Sequence, residues 1–173
     1  MYYKESKPMI NKALIIIAIF ISGNLYSQEL LPLSSVKDAD VLMSSLKNKI
    51  VLVNFWATWC KPCVKEYPDL IKLYNNYKDK DFILISISTD APEDIESKVK
   101  PFLKKNGVNF NSYYVKFEKD EQLYEIMNYF DKNWAGAIPQ TYIYDKQGTL
   151  KANILGNRRY EDFENYITPL LEQ

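Results

Sequence analysis

Ile50-Val51-Leu52-Val53-Asn54-Phe55 is a short, apolar, β-branched run, and Phe82-Ile83-Leu84-Ile85-Ser86-Ile87-Ser88 is a second. Runs of this kind read as buried strands. Between them, residues 62–77 carry apolar side chains at helical spacing: Val64, Tyr67, Leu70, Ile71, Tyr74 and Tyr77. Pro62 suits the first turn of such a helix. Two buried strands joined through a helix make a βαβ unit with parallel strands, and this unit constrains the fold more than any other feature. Cys60 and Cys63, the only cysteines, sit at its strand-to-helix junction.

The rest of the chain extends an α/β pattern. Helices are predicted over residues 38–47, from Ala91 to Asn106, over 120–130 and over 160–171. Asn106-Gly107 is a natural helix stop. Strands are predicted over Thr141–Tyr144 and Thr149–Leu155, and Asp145-Lys146-Gln147-Gly148 turns between them as a hairpin. No repeat, low-complexity stretch or long linker divides this region, so it reads as one domain over residues 28–173.

Residues 1–27 read as an address. Lys4, Lys7 and Lys12 precede nine apolar residues, Ala13 to Ile21, and Ser22–Ser27 is polar and mostly small. Nine residues are too few for a spanning helix, which needs about 20. They fit the apolar part of a secretory signal peptide cleaved after Ser27, although Leu25 is larger than the residue usual at the −3 position. The expected location is exported, periplasmic or extracytoplasmic, and an uncleaved segment would anchor the chain at the membrane instead. Cleavage removes three lysines and one glutamate, leaving 19 basic and 21 acidic residues.

Composition narrows the chemistry. The 173 residues contain no histidine, which excludes Ser-His-Asp and Cys-His nucleophile systems and histidine-bearing zinc sites. Five glycines form no phosphate-cradling loop. Equal numbers of basic and acidic residues argue against nucleic-acid binding through phosphate neutralisation.

Cys60-Lys61-Pro62-Cys63, after a buried strand and opening a helix, points to thiol–disulfide exchange. A helix N-terminus offers partial positive charge and free N–H groups, which favour the reactive thiolate. The spacing lets a second sulfur attack a mixed disulfide formed on the first. Cys60 is the expected exposed, attacking thiol and Cys63 the more buried, resolving one. The dithiol is itself the redox group, so no metal and no cofactor are expected. Three other readings compete. A structural zinc site lacks two of its four ligands, a purely structural disulfide would close a loop too short to restrain the unfolded chain much, and an inert reduced pair does not suit an oxidising compartment.

Residues Val51 to Pro68, which include Phe55-Trp56-Ala57-Thr58-Trp59-Cys60-Lys61-Pro62-Cys63, resemble the active-site stretch of thioredoxin-like proteins. More closely they resemble the exported TlpA/ResA-like branch. A second stretch, Ala137-Ile138-Pro139-Gln140-Thr141-Tyr142-Ile143-Tyr144, is similar to the family's cis-proline and the strand after it. The resemblance covers roughly residues 36–171. It implies a thioredoxin-like α/β fold, with a central mixed β-sheet flanked by helices and an inserted helical segment around 91–111. It implies a cis Ile138–Pro139 bond close to the cysteines, with backbone groups there and the Trp59 ring forming the substrate-binding surface.

Asn54 departs from thioredoxins proper, which usually carry a buried aspartate at this position. In the TlpA/ResA-like branch the acid/base candidate is instead a glutamate three residues after the second cysteine, here Glu66. Cys63 and Glu66 share a helix face; the competing reading of Glu66 is a carboxylate that complements the helix dipole. Lys61 stands where strongly oxidising relatives carry histidine, which implies a reductase. The implied partners are exported proteins bearing disulfides and a membrane thiol electron donor. The alternatives are an oxidase or isomerase of the same fold, a redox-inert or metal-binding module such as a copper carrier, and a peroxidase. Trp56 is expected to pack, and Trp134, just before the proline segment, is a secondary candidate for the same groove as Trp59. Oligomeric state is not written in these residues.

Overall fold

A computed structural model of the chain describes residues 29–173, so the leader expected over 1–27 lies outside the described residues. Strand β1 (Leu30–Leu33) leads through α1 (Val36–Ser44) to β2 (Ile50–Trp56), α2 (Lys61–Tyr77) and β3 (Phe82–Ser88). A helical insertion ending in α3 (Lys100–Lys105) precedes β4 (Asn111–Val115) and α4 (Asp120–Phe130). The hairpin β5 (Gln140–Tyr144) and β6 (Leu150–Leu155) and helix α5 (Tyr160–Leu171) complete the domain. The six strands lie in the order β1-β4-β3-β2-β5-β6. β1, β4, β3 and β2 run parallel; β5 and β6 complete the mixed sheet antiparallel.

β2 is central because both its faces are covered, and all seven of its residues are buried. Strand alternation sends Ile50, Leu52 and Trp56 to one face and Val51, Val53 and Phe55 to the other. The first face packs on α2, α3 and α5, through Tyr67, Leu70, Leu73, Leu103, Phe163 and Ile167. The second packs on α4 and α1, through Ile126, Met127, Phe130 and Ala39. Phe55 meets Phe130 at 5.0 Å and Tyr142 at 6.0 Å between ring centroids, both edge-on. Truncating Phe55 to alanine would cost about 3–5 kcal/mol, the range for emptying an aromatic site in a core.

Several expected elements are corrected in detail. α1 starts at Val36 because Ser35 Oγ accepts from Asp38 N–H at 3.2 Å, and it ends at Ser44, short of residue 47. The sequence pattern predicts no strand at 30–33 or 111–115, yet both pair in the sheet. β1 has only four residues and contains Pro32, and β4 opens on Asn111-Ser112, so neither shows a strand pattern by itself.

The insertion expected to be helical over 91–111 is helical only over 95–105. It begins with a π-type turn, Ile95–Val99, in which Lys100 N–H reaches back to the Ile95 carbonyl. Pro101 follows at once; a proline has no N–H to continue an α-helical ladder, and the wider turn accommodates it. Asn111 already belongs to β4.

Candidate active site

The chain leaves the C-terminal end of β2, turns through Ala57-Thr58-Trp59 and enters α2 at Cys60. Cys60 caps α2, its Sγ accepting from Cys63 N–H at 3.2 Å. Cys60 and Cys63 form a disulfide with an S–S distance of 2.01 Å and a Cα–Cα distance of 5.2 Å. The expected order of exposure holds, but both residues are largely covered: 5% for Cys60 and 1% for Cys63. In the oxidised form Cys60 is therefore not an exposed group.

The turn before Cys60 is held by a residue that the sequence pattern does not single out. Asp90, fully buried just beyond β3, accepts from Thr58 N–H through both carboxylate oxygens, at 2.9 and 3.1 Å. It also accepts from the Thr58 hydroxyl and, at 2.8 Å, from the Ser88 hydroxyl. The only sequence signal is the polar Ser88-Thr89-Asp90 run closing an apolar strand.

The second motif arrives from the far side of β2. The Ile138–Pro139 bond is cis, as the resemblance implies. The Ile138 carbonyl oxygen lies 3.7 Å from Cys60 Sγ, while the Pro139 carbonyl accepts from Gly156 N–H. Trp59, 65% exposed, lines a groove of about 460 Å³ with Thr58, Lys98, Pro101, Phe102 and Lys105. Trp56 packs as expected, against Tyr67 and Phe102 at 4.6 and 4.8 Å. Trp134 is not part of the Trp59 groove: it packs on Tyr124 and donates from Nε1 to the Ala137 carbonyl at 2.9 Å, bracing the loop that leads to Ile138.

One helical turn beyond Cys63 lies a buried polar cluster. Glu66, 1% exposed, accepts from Asn54 Nδ2 at 2.8 Å through Oε1 and from Arg158 N–H at 2.8 Å through Oε2. Asn54 Nδ2 also donates to Thr141 Oγ1 at 2.9 Å. Burial pushes the Glu66 carboxyl up to about 7, with the Arg158 and Asn54 hydrogen bonds opposing the rise. A buried carboxyl that titrates near neutrality, one helical turn from the second cysteine, suits proton exchange. Its position argues against Glu66 serving merely as a solvated dipole complement. Arg158 is invisible to sequence reasoning because it contributes a backbone N–H.

Among the described residues, no group of three or more Cys, Asp or Glu gathers where a metal ion would be held. Also among the described residues, no helix is long and apolar enough to cross a membrane.

Comparison with known proteins agrees with this geometry. The AhpC/TSA family model matches residues 29–153. A thiol-disulfide oxidoreductase ResA of Bacillus thuringiensis is 33% identical over 125 residues, 72% of this chain. That match spans 65% of the relative's own length, a little under two thirds. A second ResA, from Geobacillus kaustophilus, is 29% identical over 135 residues, covering 78% of this chain and 71% of the relative.

Two solved structures share the fold. A thiol:disulfide interchange protein of the thioredoxin family from Chlorobium tepidum superposes with a TM-score of 0.61 at 27% identity, covering 74% of this chain and 83% of the other. A secreted thiol-disulfide isomerase from Corynebacterium glutamicum gives 0.62 at 26% identity, covering 76% and 75%. With its sheet order, its cysteine pair at the start of α2 and its cis-proline all in place, the chain has a thioredoxin-like fold and belongs to the AhpC/TSA family.

Proposed function

We propose that this chain is an exported thiol–disulfide oxidoreductase that reduces disulfides in other exported proteins. The observation that carries the reading is the Cys60–Cys63 pair at a helix N-terminus, with the Ile138 carbonyl beside Cys60 and a near-neutral carboxyl one helical turn beyond Cys63. In the reduced protein, the Cys60 thiolate attacks a substrate disulfide. One substrate thiolate leaves and takes up a proton, and a mixed disulfide forms on Cys60. Cys63 then passes its proton to the Glu66 carboxylate and attacks Cys60 Sγ. The second substrate thiolate leaves and is protonated, and the Cys60–Cys63 disulfide remains. Two electrons have passed from the dithiol to the substrate.

Trp59 and the backbone beside Ile138 and Pro139 form the surface that receives the substrate chain. A membrane thiol donor returns two electrons to the pair. The reading further assigns residues 1–27 as the signal peptide and the periplasm or another extracytoplasmic space as the location. Protein recovered from an exported fraction should begin after Ser27, and an intact N-terminus would refute cleavage.

A second reading, disulfide isomerase, is favoured by the likeness to the secreted thiol-disulfide isomerase of Corynebacterium glutamicum, and an oxidase of the same fold is its variant. The equilibrium potential of the cysteine pair in graded dithiol/disulfide buffers separates the two. A value near thioredoxin's, roughly −270 mV, supports the reductase. A value near roughly −120 mV reverses the direction of electron flow. The absence of a reversible couple would point to a non-enzymatic binding module.

A further inference from the structure

Asn54 is the one polar residue in the seven-residue central strand, and it is completely inaccessible to solvent. Strand alternation places it on the α2 face, with Leu52 and Trp56 on either side in the same file. Its amide nitrogen uses both hydrogens, one on Glu66 Oε1 at 2.8 Å and one on Thr141 Oγ1 at 2.9 Å. Among the described residues, Asn54 Oδ1 has no hydrogen-bond partner. The orientation of the amide is therefore set entirely by the two acceptors. Thr141 stands directly across the β2–β5 ladder, two residues beyond Pro139. One side chain thus ties the helix that carries the cysteines to the strand that follows the cis-proline.

The groups facing Glu66 come from four elements. Asn54 approaches from β2, and Thr141 stands behind it on β5. The β6–α5 connection supplies Arg158, whose backbone N–H donates to Oε2 and whose guanidinium adds positive charge. α2 contributes Asp69, a like charge that opposes ionisation, and Cys63 one turn earlier. Each carboxylate oxygen receives one donor from the protein in place of water. Burial alone would keep a carboxyl protonated, and donated hydrogen bonds restore the ionised form.

We propose that Asn54 is the positioning residue for Glu66: its amide, anchored on Thr141, fixes the carboxylate one helical turn from Cys63 and sets the pH range over which the second thiol reacts. An amide suits this place because it does not titrate, so the cluster handles a single proton. An aspartate there would accept where a donor is needed and would repel Glu66. The proposal rests on the acid/base reading of Glu66 given above.

The test uses the full chain and two readouts. One is the NMR titration midpoint of the Glu66 carboxyl carbon in the oxidised protein. The other is the reaction of reduced protein with an aromatic disulfide that releases a coloured thiolate twice, first as Cys60 attacks and again as Cys63 resolves. Asn54→Ala is expected to raise the Glu66 midpoint by about one to two pH units, the effect of losing a hydrogen bond to a charged group. The pH profile of the second colour release should move by the same amount, and that of the first should stay in place. Asn54→Asp should raise the upper midpoint further, because two carboxylates then share one proton.

Thr141→Val removes the anchor without touching Glu66 and should shift the midpoint the same way by less; it serves as the test if the Asn54 variants fail to fold. An unmoved midpoint in the folded variants overturns the proposal. If Glu66→Gln leaves the second release unaltered across pH, the acid/base reading falls, and with it the rate arm. The NMR midpoint in Asn54→Ala still decides whether Asn54 positions Glu66.

Discussion

The two sulfurs of the Cys60–Cys63 bond face different surroundings. Cys60 is itself nearly covered, but its neighbour Trp59 stands out into solvent beside a broad groove that runs on to Lys98 and Lys105, and the Ile138 carbonyl lies 3.7 Å from the sulfur. On the Cys63 side the protein is closed, and Asn54 donates to both Glu66 and Thr141 out of reach of water. The open side is suited to receiving a large, variable partner. The closed side is suited to moving one proton, because a carboxyl changes its affinity for protons most where water is excluded. The turn before Cys60 is fastened by Asp90, so the open side keeps a fixed shape.

The sharpest way to break this division is to remove one sulfur at a time. Cys63→Ser should leave Cys60 able to attack and unable to be released, so turnover is lost and a covalent complex with substrate accumulates. Non-reducing electrophoresis or intact mass measurement detects it. Continued turnover in Cys63→Ser would dissolve the distinction between attacking and resolving thiols.

Glu66 supplies the next effect. Its carboxyl titrates near 7 in the folded protein against an ordinary value of 4.5, so the folded state holds a proton that the unfolded state has lost. Its contribution is fully favourable below about pH 4.5 and is lost as pH rises through about 7. Compared with Glu66→Gln, the wild-type oxidised protein should lose about 3 kcal/mol over that window, the equivalent of the two-and-a-half-unit rise. Denaturant melts of both proteins at pH 4, 6 and 8 measure it. Parallel pH dependences would mean that the closed side is wetter than its burial indicates.

Asp90→Ala tests the fastening. Losing the hydrogen bonds to Thr58 should cost about 1–3 kcal/mol in stability and loosen the turn before Cys60. Faster amide exchange at Thr58 and Trp59 would report the loosening. Unchanged exchange there would place the restraint elsewhere.

The smallest effect on stability belongs to Trp59→Ala. An exposed ring contributes within about 0.5 kcal/mol to folding. The same change should raise KM for a protein disulfide and leave the reaction with a small disulfide in place. Equal losses on both substrates would move Trp59 from the receiving surface to the chemistry.

Much of the scaffold was legible in the chain. β3, α4 and α5 match their predicted bounds, and β2 and α2 differ by one residue, because each is a strong, locally periodic pattern. β1 and β4 were not legible. β1 is four residues around a proline and β4 begins with two polar residues, and both become strands by pairing with neighbours already in the sheet. The π-type turn is not distinguishable from ordinary helix in the sequence, because the spacing of Val99, Phe102 and Leu103 is helical, while Pro101 changes only the hydrogen bonding. Trp134 is only a secondary candidate for the Trp59 groove in the sequence; its indole N–H finds the Ala137 carbonyl, a local partner that spacing does not disclose.

What the sequence determined by itself is the βαβ unit, the cysteine pair at its strand-to-helix turn and, through resemblance, the proline that meets it. These follow from local period and residue type. Tertiary structure alone decided that Asn54 and Glu66 would meet, that Arg158 would close the cluster across 92 residues of chain, and that Asp90 would reach Thr58 across 32. The physical reason is that a buried polar group has to find its partners inside the protein. Which partners lie within reach depends on how distant segments are brought together by the sheet, and not on the residues next to it in the chain.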